Sequence, residues 1–147
     1  MKKIILTLLL AALILPLGAF QGKTLKVGIV FVSAGNYVYH YGDLTFKKGS
    51  LLFEGHERDG KALEMFFELA YADIDEVGVT GDYANFMKLY IDQRSEFHKD
   101  HRFLLHGDDW LKADFIKIEL RETENLREAW KAGKKFKKLI AANQPKK

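Results

Sequence analysis

From Lys23 to Ser33 (KTLKVGIVFVS) the chain is β-branched and apolar, and Tyr37-Val38-Tyr39-His40-Tyr41 alternates, a period of two that predicts two strands. Ser33-Ala34-Gly35-Asn36 supplies the turn between them. Gly42-Asp43 reads as a two-residue hairpin connection with glycine first, which makes Leu44-Thr45-Phe46 a separate third strand. Lys47-Lys48-Gly49-Ser50 is then a turn, Leu51-Leu52-Phe53-Glu54 a fourth strand, and Gly55 to Gly60 a polar loop.

The next segment fits two periods. Leu63, Phe66, Phe67, Ala70 and Ile74 form a helical stripe, whereas Leu63, Met65, Phe67, Leu69 and Tyr71 alternate as in a strand. Dense aromatics and the preceding Gly60 favour the strand. Ala72 to Glu76 reads as a short turn into Val77-Gly78-Val79, Thr80 to Asn85 as a loop, and Phe86 to Ile91 as a strand. Asp92 to Asp100 reads as a charged loop, His101 to His106 as a further strand, Gly107-Asp108-Asp109 as a turn, and Phe115 to Leu120 as the last strand. From Thr123, a plausible N-cap, apolar residues recur at helical spacing through Leu126, Ala129, Trp130, Gly133, Phe136 and Ile140. The pattern is mainly β with one C-terminal α-helix.

The N-terminus departs from this pattern. Lys2 and Lys3 precede an apolar run from Ile4 to Leu15, and Pro16-Leu17-Gly18-Ala19 follows, the three-part arrangement of a secretory signal peptide cut after Ala19. The rival reading is an uncleaved anchor, although the 17 residues from Ile4 to Phe20 fall short of the roughly 20 that a spanning helix needs. Either reading places the domain outside the cytoplasm, periplasmic or secreted, because the two lysines hold the N-terminus inside. Residues 1–19 are thus expected to be the export segment, 23–142 the folded domain and 143–147 a basic tail.

Composition changes the picture in two places. Of 147 residues, 48% are apolar and none is Cys; an exported domain without cysteine must rely on core packing, and the remaining 127 or so residues suffice for one core. The formal charge of +3 falls to +1 once Lys2 and Lys3 are removed, leaving 21 basic residues against 20 acidic ones. So small a surplus is no signature of nucleic-acid binding.

Two stretches carry a family resemblance. Gly42 to Glu54 (GDLTFKKGSLLFE) resembles the opening hairpin of GRAM-type and bacterial pleckstrin-homology (PH)-like domains, and Phe66 to Val79 (FFELAYADIDEVGV) resembles their next unit. The resemblance implies a PH-like, partly open β-barrel capped by an amphipathic helix, and a binding module with no catalysis and no cofactor. The phosphoinositide-binding members carry basic residues in the loop between the first two strands. Here that loop, Ser33-Ala34-Gly35-Asn36, has none, so inositol phosphate is not the expected ligand.

Four constellations bear on chemistry. Tyr37, Tyr39 and Tyr41 share one strand face, where they serve either as a stacking surface for a peptide or sugar, or as cross-strand partners within the sheet. His98, His101 and His106 lie near Asp100, Asp108 and Asp109; on a strand His101 and His106 would point to opposite faces, which leaves His98 with His101 as a metal pair, against solvated loop histidines. Carboxylate pairs such as Asp73/Asp75 and Asp108/Asp109 lack any accompanying nucleophile motif, and there is no G-x-S-x-G elbow or phosphate-cradling glycine loop. Seven lysines follow residue 130 with no acid among them: Lys131, Lys134, Lys135, Lys137, Lys138, Lys146 and Lys147. Lys137, Lys138, Lys146 and Lys147 are the candidate contacts to an anionic membrane surface. The expected function is an exported, non-catalytic module for a protein or peptide partner. The alternatives are a peripheral membrane-surface module and a metal-dependent enzyme or sensor at His98/His101.

Overall fold

The computed structural model describes residues 22, 24–57, 62–80, 86–120 and 126–144. Eight strands follow in the order β1 (Thr24–Ser33), β2 (Asn36–Phe46), β3 (Ser50–His56), β4 (Ala62–Ala70), β5 (Ile74–Thr80), β6 (Phe86–Ile91), β7 (His106–Asp108) and β8 (Ala113–Leu120). The short helix α1 (Glu96–Asp100) precedes β7, and α2 (Leu126–Asn143) ends the fold. Pairing is antiparallel in every ladder, in the order β4-β3-β2-β1-β8-β6-β5, with β7 beside β8. The β1/β8 ladder therefore joins a four-strand meander to a second meander. Among the described residues no ladder joins β4 to β5, so the sheet is a partly open barrel with one C-terminal helix.

Alternation along the strands builds a single core. Val27 and Ile29 of β1, Leu44 and Phe46 of β2, Met87 and Leu89 of β6, and Ile116 and Ile118 of β8 point inward and are buried together. Phe136, Leu139 and Ile140 of α2 enter the same core, with the Phe136 ring edge-on to Phe46 at 4.1 Å between centroids. From the segment between β6 and β7, Phe97 and Leu104 also enter it, and Phe97 meets Phe67 of β4 edge-on at 5.6 Å. Two helical pieces thus cover core residues that the open sheet would leave wet.

The strand expected through Leu63 to Tyr71 is β4 (Ala62–Ala70), as the aromatic density favoured, with Tyr71 already in the turn that follows. Within both stretches that carry the resemblance, strand, turn and strand follow one another: β2 into β3 across Lys47 to Gly49, and β4 into β5 across a 3-10 turn at Tyr71–Asp73. Tyr71 is fully buried, and its hydroxyl donates to the Lys47 carbonyl at 3.0 Å, tying those two turns together.

Several boundaries differ from the expectation. Gly42-Asp43 is not a hairpin: β2 runs unbroken from Asn36 to Phe46, with Gly42 opposite Gly55 of β3. A Cβ at Gly42 would stand 2.2 Å from the Glu54 carbonyl oxygen and 2.8 Å from the Phe53 ring. That glycine answers to close backbone approach and not to a turn. Asp92 to Asp100 is not all loop, because Ser95 caps α1 by accepting from the His98 amide. His101 to His106 is not a strand: Arg102–Leu104 is a 3-10 turn, and only His106 joins a ladder. Nor is Gly107-Asp108 a turn, since both residues lie in β7, while the Asp108 carboxylate accepts from the Trp110 and Leu111 amides and forms the bend after it. β5 starts at Ile74, earlier than expected. Residues 1–21, the loop core at 81–85, and Thr123 lie outside the described residues. No helix among the described residues is long and apolar enough to cross a membrane.

Candidate functional site

The ladders define rows of side chains on the outer face of the sheet, because residues directly opposite in an antiparallel pair share a face. One row runs Gly78, Lys88, Lys117, Val30, Tyr39 across β5, β6, β8, β1 and β2. The row on one side holds Glu76, Tyr90, Phe115 and His106. The row on the other holds Phe86, Glu119, Gly28, Tyr41 and His56. Aromatic rings thus occur in all three rows.

The outer face is not simply solvated. Val30 and Phe115 are buried although they point away from the core. Phe115 is covered by Tyr90, 5.6 Å away, and by the His106 ring stacked at 5.3 Å. The ammonium of Lys88 stands over the Phe115 ring at 4.4 Å and that of Lys117 over the Phe86 ring at 4.3 Å. Burial pushes the Tyr90 phenol up from its ordinary value, and the charges of Asp108 and Glu76 add to it.

The three sequence-selected tyrosines do share this face, but their surroundings differ. Tyr41 is half-buried over Gly28, where an added Cβ would meet its ring at 3.6 Å. Tyr37, opposite Val32, is 66% exposed; Val32 is 48% exposed, and Tyr39, opposite Val30, is 44% exposed. These residues stand on the end of the β1/β2 ribbon, which outreaches β8: the β1/β8 ladder stops at Val30 opposite Lys117, whereas β1 pairs with β2 as far as Ser33. Ala34 and Gly35, both at positive φ, close the ribbon in a two-residue turn that matches strand twist. An apolar and aromatic strip is therefore carried on the paired β1/β2 ribbon and left open to solvent.

The histidines are committed to separate partners. His98 is buried with Nε2 at 2.6 Å from Asp114 Oδ2, a contact that fastens α1 to β8. His101 stacks on Phe97 at 4.2 Å, and its Nδ1 lies 3.1 Å from the Phe97 carbonyl. His56 pairs with Asp43 at 3.0 Å on the outer face. Among the described residues no three His, Cys, Asp or Glu side chains converge as metal ligands. An open cleft of about 500 Å³ borders the His98/Asp114 pair and is also lined by Gln93, Arg102 and Leu105.

On α2 the apolar residues Phe136, Leu139 and Ile140 are buried in the core, while Lys137 and Lys138 are exposed. The helix face that would enter a bilayer is thus occupied by the barrel, leaving only the lysines for a charged surface. Lys146 and Lys147 lie outside the described residues.

Sequence reasoning missed Phe86, Lys88, Phe115 and Lys117. A signal was available: FMKLY and FIK each place an aromatic ring and a lysine two residues apart, hence on one face of a strand. Trp110, 93% exposed, and Leu111 were also missed, two apolar residues in the bend that Asp108 organises. No protein-family model matches the chain, and no curated protein matches it.

Proposed function

We propose that this chain is an exported PH-like binding module that uses the outer face of its sheet to hold a protein or peptide partner. The observation that carries the reading is the solvent-open strip of Tyr37, Val32 and Tyr39 on a closed, two-residue-turn ribbon. Tyrosine offers large contact area with few rotatable bonds, so a preorganised row of phenols binds at low entropic cost. The partly open barrel with a C-terminal helix packed into its core supports the PH-like reading, and the basic n-region with its apolar run supports export.

The test is selection of a displayed random peptide library on the full chain, followed by titration of the selected peptides against the Tyr37→Ala/Tyr39→Ala variant. At least tenfold weaker binding is expected, with an unchanged circular dichroism spectrum and melting temperature. Equal binding by the variant, or no peptide enriched above background, overturns the proposal.

A further inference from the structure

Lys88 and Lys117 are directly opposite each other on β6 and β8. Like charges in that position destabilise a sheet, and both side chains are half-buried, which weakens the screening that water would supply. Neither makes an ion pair among the described residues, whose salt bridges lie elsewhere. The two side chains lean apart instead. Lys88 reaches the ring of Phe115, in the row of Tyr90, and Lys117 reaches the ring of Phe86, in the row of Glu119. Those rows are four residues apart along β8, up to about 13 Å at roughly 3.3 Å per residue.

We infer that these two lysines are the anion-accepting centre of the partner site, and that the partner is an acidic extended peptide whose carboxylates alternate along one face. The inference rests on the outer-face reading above and names the chemistry of its ligand. In an extended chain lying along β8, side chains at i and i+4 share a face and are separated by that same interval, so carboxylates four residues apart meet one ammonium each. The rings beneath the ammonium groups hold them in place and exclude water from one side, which strengthens the attraction for a carboxylate. Gly78, at the end of the lysine row, has no side chain to cover Lys88. At the other end of the row Tyr39 is exposed, so the tyrosine strip flanks a peptide laid along β8. Glu119, opposite Phe86, and Glu76, opposite Tyr90, stand in the same rows that the two ammonium groups reach, and neither lysine is in ion-pair contact with them.

Amide resonances of the ¹⁵N-labelled full chain would be followed during addition of a nine-residue peptide of alternating Glu and Thr. The controls are the Gln/Thr analogue and inorganic phosphate. The Glu peptide is expected to move the resonances of residues 86–90 and 115–119, to bind at least tenfold more tightly than the Gln peptide, and to weaken as salt is raised. Lys88→Met/Lys117→Met is expected to lose at least tenfold in affinity, and Lys88→Arg/Lys117→Arg to retain binding. If the Gln peptide binds equally and moves residues 30–32 and 37–41 regardless of the lysines, this inference falls while the tyrosine-strip reading stands. A phosphate response as strong as the peptide's, or no response to any probe, also overturns it.

Discussion

The imidazole Nε2 of His106 stands 2.6 Å from the carbonyl oxygen of Val30, at the point where β1 leaves β8 and β7 takes its place along the same edge. A carbonyl accepts, so the ring donates from Nε2, and its stacking on Phe115 orients it. This single side chain spans the break in the ladder and anchors the base of the tyrosine ribbon. His106→Ala is expected to cost about 1–3 kcal/mol in urea unfolding, because it leaves a half-buried carbonyl unpaired. Amide exchange should accelerate in residues 31–40 and stay unchanged in α2.

Gly42 and Gly49 should respond oppositely to alanine. At Gly42 the new Cβ would sit against the Glu54 backbone, which cannot yield without breaking the β2/β3 ladder, and a loss of roughly 3 kcal/mol or more is expected. At Gly49 nothing lies within 4 Å, so the change should stay within about 0.5 kcal/mol. Thermal melts of the two variants check this.

Burial pushes the Tyr71 phenol up from 10 to about 12. A group whose folded value is raised contributes stability that is complete below its unfolded value and is lost as the pH climbs through the folded one. The protein should therefore lose stability between about pH 10 and 12. Tyr71→Phe should be less stable at neutral pH by about 1 kcal/mol, since the Lys47 carbonyl loses its donor. Its stability should, however, fall less steeply over the alkaline range, as denaturant titrations at several pH values would show.

His40 has the opposite sense. Its ring is stacked on Phe31 at 5.2 Å, its Nδ1 is buried without a hydrogen-bond partner among the described residues, and burial lowers its pKa from the usual 6.5. The folded state holds the neutral form, so stability from this residue is complete above the unfolded value and declines as the pH falls through the lower folded one. His40→Phe keeps the stack and removes the titration. The difference in stability between the variant and the wild type should shift in favour of the variant on going from pH 7 to pH 5.

The α1 plug can be tested through its cap. Ser95→Ala removes the acceptor for the His98 amide and should cost about 1 kcal/mol. Phe97→Ala, which empties a core position facing Phe67, should cost about 3–5 kcal/mol. Urea unfolding of both variants gives the comparison.

Local patterns determined a good deal. Alternation along 37–41 marked a strand, as did the β-branched or apolar runs at 23–33, 86–91 and 115–120, and the repeat through Phe136 and Ile140 marked the helix that enters the core. It also showed that Tyr37, Tyr39 and Tyr41 share a face, since side-chain alternation is a property of the strand alone. Where the chain was misread, a contact distant in sequence had overridden the local signal. Gly42 looks like a turn residue until the Glu54 backbone lies against it, and the run from His101 to His106 looks like a strand until Leu104 is drawn into the core. Which tyrosine is covered and which is open depended on Gly28 and on where β8 ends. The opposition of Lys88 and Lys117 depended on the register between β6 and β8. Register is set by the packing of whole faces, with neighbours contributed by segments far apart in the chain, and no single stretch of sequence contains it.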